Sequence, residues 1–110
     1  MKQYTNETQT AKLIGLGFMP EARIKGVRTV NSKVEIDYDW SFTIGELIET
    51  LPENVANQDE IPSTLNISLM NGEWCVQYAD FLGADFEFCN TELIDALYDM
   101  IVKLKDKGVI

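Results

Sequence analysis

The 110-residue chain contains no histidine. That absence removes histidine-based nucleophile triads, the commonest zinc ligand and the usual general base near neutral pH. Cysteine is nearly as scarce. Cys75 and Cys89 lack the spacing of a redox or zinc motif, and two thiols alone make no metal site. No apolar run approaches the roughly 20 residues needed to cross a bilayer. The opening "MKQYTNETQT" lacks the apolar core of a signal peptide, so the expected compartment is the cytoplasm, with both thiols reduced. No cofactor motif is present: "GLGFMP" puts Pro20 where a nucleotide loop needs its third glycine and follows a helical pattern instead of a strand.

Positive charge is missing from the whole middle of the chain. Between Val34 and Val102 there is no Lys or Arg, while fifteen of the eighteen acids lie there. The flanks are basic: residues 1–33 hold six Lys and Arg against Glu7 and Glu21, and Lys103, Lys105 and Lys107 face only Asp106. Duplex phosphates are neutralised by Lys and Arg, so this middle region disfavours nucleic acid. A basic protein partner or plain solvation fits it better.

What the sequence does contain is sufficient for one α+β domain over residues 1–110, with 45% hydrophobic and 25% charged residues. "TNETQTAKLIGLG" carries cap residues, a helical apolar spacing and Gly17 at the stop, which predicts a helix over about 6–16. In "VRTVNSKVEIDYDW" a period of two around Asn31-Ser32 predicts a hairpin pairing Thr29 with Val34, Val27 with Ile36 and Arg28 with Glu35. On that reading Glu35, Asp37 and Asp39 face solvent, and Val34, Ile36, Tyr38 and Trp40 are buried. Thr43 and Glu46 form a capping box for a short helix with Ile44, Leu47, Ile48 and Leu51 inward. "PENVANQDEIPS" reads as a loop.

The sharpest local signal is Asn71-Gly72, the preferred pair for a type I′ turn. It places Leu69 opposite Trp74, Ile67 opposite Val76 and Leu65 opposite Tyr78, so that every apolar pair falls on one face. A second turn at Phe81-Leu82-Gly83 would pair Tyr78 with Phe86, Val76 with Phe88 and Cys75 with Cys89. Trp40, Trp74, Tyr78, Phe86 and Phe88 read as core, since a stacking platform for nucleic acid needs interleaved basic residues. A last helix starts at an Asn90 cap, covers the sheet with Leu93, Leu97, Met100, Ile101 and Leu104, and stops at Gly108. The expected order is αββαβββα, an antiparallel sheet built from two hairpin-based units with helices on one face.

Two features point past the core. "DYDWSFTIGELIE" starts like a calcium loop, but Phe42 stands at the required glycine and Ile48 at the bidentate glutamate, so no metal site is expected. The apolar pair Phe81-Leu82 sits at a hairpin tip between Asp80 and Asp85, where tips are normally polar, and either folds back or anchors a partner. The expected function is therefore a non-catalytic binding or regulatory protein. Its partner surface would comprise Glu35, Asp37, Asp39, Asp80, Phe81, Leu82 and Asp85, meeting a basic protein as a DNA mimic would. The alternative is a carboxylate-based enzyme holding a divalent ion weakly near Asp37 and Asp39.

The stretches "TIGELIETLP", "WCVQY" and "ELIDALYDMIVKL" together resemble a group of small proteins without assigned function from Bacteroides-type gut bacteria and their mobile elements. The likeness covers about the C-terminal two thirds of the chain. It implies a cytoplasmic accessory protein of a phage or integrated element, and it supplies no catalytic residues.

Overall fold

The computed structural model describes residues 1–56, 62–80 and 83–110. The elements run α1 (Glu7–Gly15), β1 (Arg23–Val30), β2 (Lys33–Asp39), α2 (Ile44–Thr50), β3 (Asn54–Ala56), β4 (Pro62–Met70), β5 (Glu73–Asp80), β6 (Gly83–Asn90) and α3 (Leu93–Asp106). This is the expected α+β order with one strand more. The extra strand β3 lies in the segment that reads as a loop and pairs Val55 with Ser63. Three residues are too few to show a period.

The body is a four-stranded antiparallel sheet in the order β3-β4-β5-β6. Asn71 and Gly72 take positive φ (52° and 80°), as a type I′ turn demands. The register follows from that turn: Leu69 pairs with Trp74, Ile67 with Val76 and Leu65 with Tyr78. At the next turn Tyr78 pairs with Phe86 and Cys75 with Cys89 as expected. The pairing slips by one residue beyond Tyr78, so that Asp80 meets Gly83. The register shift therefore sits within the strand pair beside the turn.

α3 covers one face of this sheet, burying Leu93, Ile94, Leu97, Met100, Ile101 and Leu104. Leu13 of α1, Phe42, Leu47 of α2, Leu51, Val55 of β3, Val76 and Tyr78 join them in the core. Tyr78 donates its hydroxyl proton to the Pro52 carbonyl at 2.6 Å, and burial pushes its pKa up to about 12. Thr43 and Glu46 form the capping box of α2, but only Leu47 and Leu51 of the apolar set are buried, and Ile48 is exposed. At the start of α3 the Asn90 side chain accepts from the Glu92 amide at 2.9 Å, while Glu92 itself takes the cap position.

The first hairpin departs most from expectation. β1 and β2 form a separate two-stranded sheet with the expected register, Arg28 opposite Glu35 and Val27 opposite Ile36, and Asn31 and Ser32 both at positive φ. Yet no residue of either strand is buried. Val34, Ile36, Tyr38 and Trp40 are 43–69% exposed, so the face assigned to the core is open. The hairpin is an arm, about 26 Å long at the usual strand rise, and neither strand packs extensively on another described element. The molecule accordingly measures 63 × 31 × 19 Å, with a radius of gyration of 17.0 Å against roughly 13 Å for a compact domain of this length.

Candidate functional site

The arm is fixed at its root. The Arg23 guanidinium lies 2.9 Å from a Glu46 carboxylate oxygen, donates to the Ser41 carbonyl, and sits 5.0 Å from the centre of the Tyr4 ring. Glu46 also accepts from the Glu21 amide at 2.7 Å and the Thr43 amide at 3.0 Å. Burial pushes the Glu46 pKa up, but these backbone donors and Arg23 outweigh it and hold the carboxyl below its ordinary value. Nearby, Asp39 accepts from the Ser41 hydroxyl and amide, which lowers its pKa.

A pH dependence follows from the anchor. Because the folded pKa of Glu46 lies below 4.5, its contribution to stability is complete above that value and is lost as pH falls through the folded pKa. Glu46→Gln should lower the urea midpoint at neutral pH, and the gap to the unmodified protein should close on acidification below about pH 4.5. A gap that stays constant down to about pH 3 would show that the Glu46 charge does not hold the root.

Beyond the root the arm has two unlike faces. One carries Arg28 and Glu35, joined at 3.0 Å, together with Asp37 and Asp39. The other carries Ile24, Val27, Val34, Ile36 and Tyr38, continued by Trp40, whose ring lies 6.1 Å from that of Tyr38. Glu35 and Asp37 are exposed and Asp39 is half-buried. These three acids thus occupy the solvent face assigned to them.

The remaining sequence-assigned residues are not brought to the same sheet. Asp80 is half-buried at the end of β5, and the Asp85 carboxylate accepts from the fully buried Ser63 hydroxyl. Phe81 and Leu82 lie outside the described residues. The face of the four-stranded sheet turned away from α3 instead carries Glu73 and Glu87, both exposed, on strands without a Lys or Arg. Strand alternation from Asn71-Gly72 contains that signal, since Glu73, Cys75 and Gln77 alternate with the inward Trp74, Val76 and Tyr78.

Cys75 and Cys89 are joined in a disulfide on this outer face. Their adjacency agrees with the register, whereas the expected reduced thiols are not what the structure holds. A cross-strand pair with Cα atoms 4.1 Å apart presents the two sulfurs to each other directly. Glu87 lies within 4.8 Å of both sulfurs, but a metal ligand must be the thiolate, and these sulfurs are bonded to each other.

A cleft of about 600 Å³ is lined by Lys12, Leu16 and Phe88 and by Asp99, Val102, Lys103, Lys105 and Asp106 of α3. Partial burial, then the neighbouring Asp95 carboxylate, raises the Asp99 pKa. Asp95 is the opposite case: burial pushes it up, yet Lys2, 2.8 Å away, and Gln9, at 2.7 Å, hold it below the usual carboxylate range. Asp37 and Asp39, the sequence-stated candidates for a divalent ion, are on the arm and not in this cleft. Comparison with family models, curated proteins and solved structures finds no match to the chain.

Proposed function

We propose that the protein is a non-catalytic binding protein of an accessory or regulatory kind, which presents an acidic surface to a basic protein partner. The observation that carries this reading is the distribution of charge over the fold. Outside the arm, five Lys and Arg stand against fifteen acids, whereas residues 23–39 hold four against three. Glu73 and Glu87 share a concavity of about 430 Å³ on the outer face of the four-stranded sheet with Ser68, Met70 and Gln77, while Asp37 lies on the arm. Exposed acids divided between two sheets suit recognition of a complementary charged surface more than chemistry on a small substrate. Such a body offers a basic cleft the charge of a nucleic acid without its bases. A cytoplasmic setting belongs to the same proposal, and there the Cys75–Cys89 bond would form only on oxidation.

The competing reading, a carboxylate enzyme, is favoured by one observation, the raised pKa of Asp99 beside the cleft. The other carboxylate lining that cleft, Asp106, lies on the same helix as Asp99, and no carboxylate from a facing element stands among the lining residues.

The test is to identify a basic protein that copurifies from the native host and to measure its affinity across ionic strength. Kd should rise at least about tenfold between 50 and 200 mM salt, as for partners attracted through exposed charge. Replacing Asp37, Glu73 and Glu87 by their amides should weaken binding and flatten that salt dependence. Affinity that is indifferent to salt and to all three substitutions overturns the proposal.

A further inference from the structure

The structure assigns the apolar face of the arm to a second copy of this chain: we infer a two-fold dimer in which the two arms pack face to face. This goes beyond the acidic-surface reading and does not depend on it. Ile24, Val27, Val34, Ile36, Tyr38 and Trp40 share the face and are 43–69% exposed. For side chains of this size those fractions leave on the order of 600 Å² open, at the upper end of what a monomer exposes and near the roughly 800 Å² per partner of a standard interface. Tyr38 and Trp40, a tilted pair at 6.1 Å, are the residue types that dominate such contacts.

Charge selects the occupant. A basic partner is drawn to the acids of the body and to Asp37 on the charged face of the arm, and gains nothing on the opposite, apolar face, which carries no acid. Two copies of a chain of net charge -9 must instead meet where their charge is least, and that is the arm. The arm stands off the body, neither strand packing extensively on another described element, so a joint through its apolar face does not require the two acidic bodies to touch.

Charge also selects the geometry. Extending the hairpin edge to edge about a two-fold axis would place β1 beside β1 or β2 beside β2. The first brings Arg23, Lys25 and Arg28 of both copies onto one ladder, and the second does so for Glu35, Asp37 and Asp39; like charges opposed on a sheet destabilise it. Face packing avoids both, since sheets stack about 10 Å apart with the charged faces turned outward.

The experiment uses purified full-length chain alone, by sedimentation equilibrium from about 1 to 100 µM, a range that brackets a micromolar Kd. The unmodified chain should sediment at twice its 12.5 kDa. Dimerisation should hold or strengthen as salt rises, because salt screens the repulsion between acidic bodies. That is opposite to the expectation for the basic partner, so the two proposals fail separately. Val27→Thr with Ile36→Thr keeps β-branched strand formers and should shift the dimer at least tenfold toward monomer. A second variant, Trp40→Ser, lies beyond the paired strands and should weaken dimerisation without touching the hairpin ladder. A monomeric unmodified chain at 100 µM, or dimers unaffected in both variants, overturns the inference.

Discussion

Leu47→Ala should lower stability by about 2–5 kcal/mol, whereas Ile48→Ala, one residue along the same helix, should cost under about 1 kcal/mol. Leu47 is 1% exposed and belongs to the core under α3, so truncation opens a cavity that the surrounding side chains cannot fill. Ile48 is 36% exposed, and its loss removes little buried area. The measurement is the urea midpoint and slope of each variant, and equal losses would mean that α2 is rotated on the body. α2 is also the element that holds Glu46 and hence the arm root. A destabilised α2 should therefore loosen the arm as well as the core.

The contrast between Leu47 and Ile48 shows how far the sequence was legible. Its period identified which residues share a face of α2, and the capping box from Thr43 to Glu46 located the helix start. Period alone does not say how much of that face a neighbour covers. The same limit explains the arm. Alternation in "VEIDYDW" correctly put Val34, Ile36 and Tyr38 on one side and Glu35, Asp37 and Asp39 on the other, and the Asn31-Ser32 turn gave the register. Burial of the apolar side was an inference from the usual habit of half-apolar strands, and it required a long-range partner that no local pattern encodes. The core strands were legible in both respects, because β4, β5 and β6 lie next to one another in sequence and the stripe on α3 matches their inward residues in width.

The candidate binding surface was less legible than the fold. The absence of Lys and Arg between Val34 and Val102 pointed to acid on the surface, and the exposed Glu73 and Glu87 bear that out. The assignment of Asp85 did not anticipate its hydrogen bond to Ser63. A register shift beside the turn changes which way the next side chain points, and a shift of one residue leaves no periodic signal. The Asp99 cleft was hidden for another reason. It joins α1 to β6 and α3, and α1 lies at the opposite end of the chain from the other two.

Removing the disulfide should have the second large effect. Cys75 and Cys89 are 14 residues apart, and closing a loop of that size in the unfolded chain is worth on the order of 3 kcal/mol. Reduction by a dithiol, or Cys75→Ala with Cys89→Ala, should therefore lower the urea midpoint by an amount comparable to Leu47→Ala. The folded sheet should persist, because the inward pairs Val76 with Phe88 and Tyr78 with Phe86 lie on the opposite face and are held by α3. The cross-link constrains the unfolded state more than it positions the strands, so amide exchange within β5 and β6 should rise uniformly with global unfolding and not at one site. An unchanged midpoint on reduction would mean that the unfolded chain already keeps β5 and β6 together. Selective opening of β6 would mean that the bond, and not the packing beneath it, holds the edge strand in register.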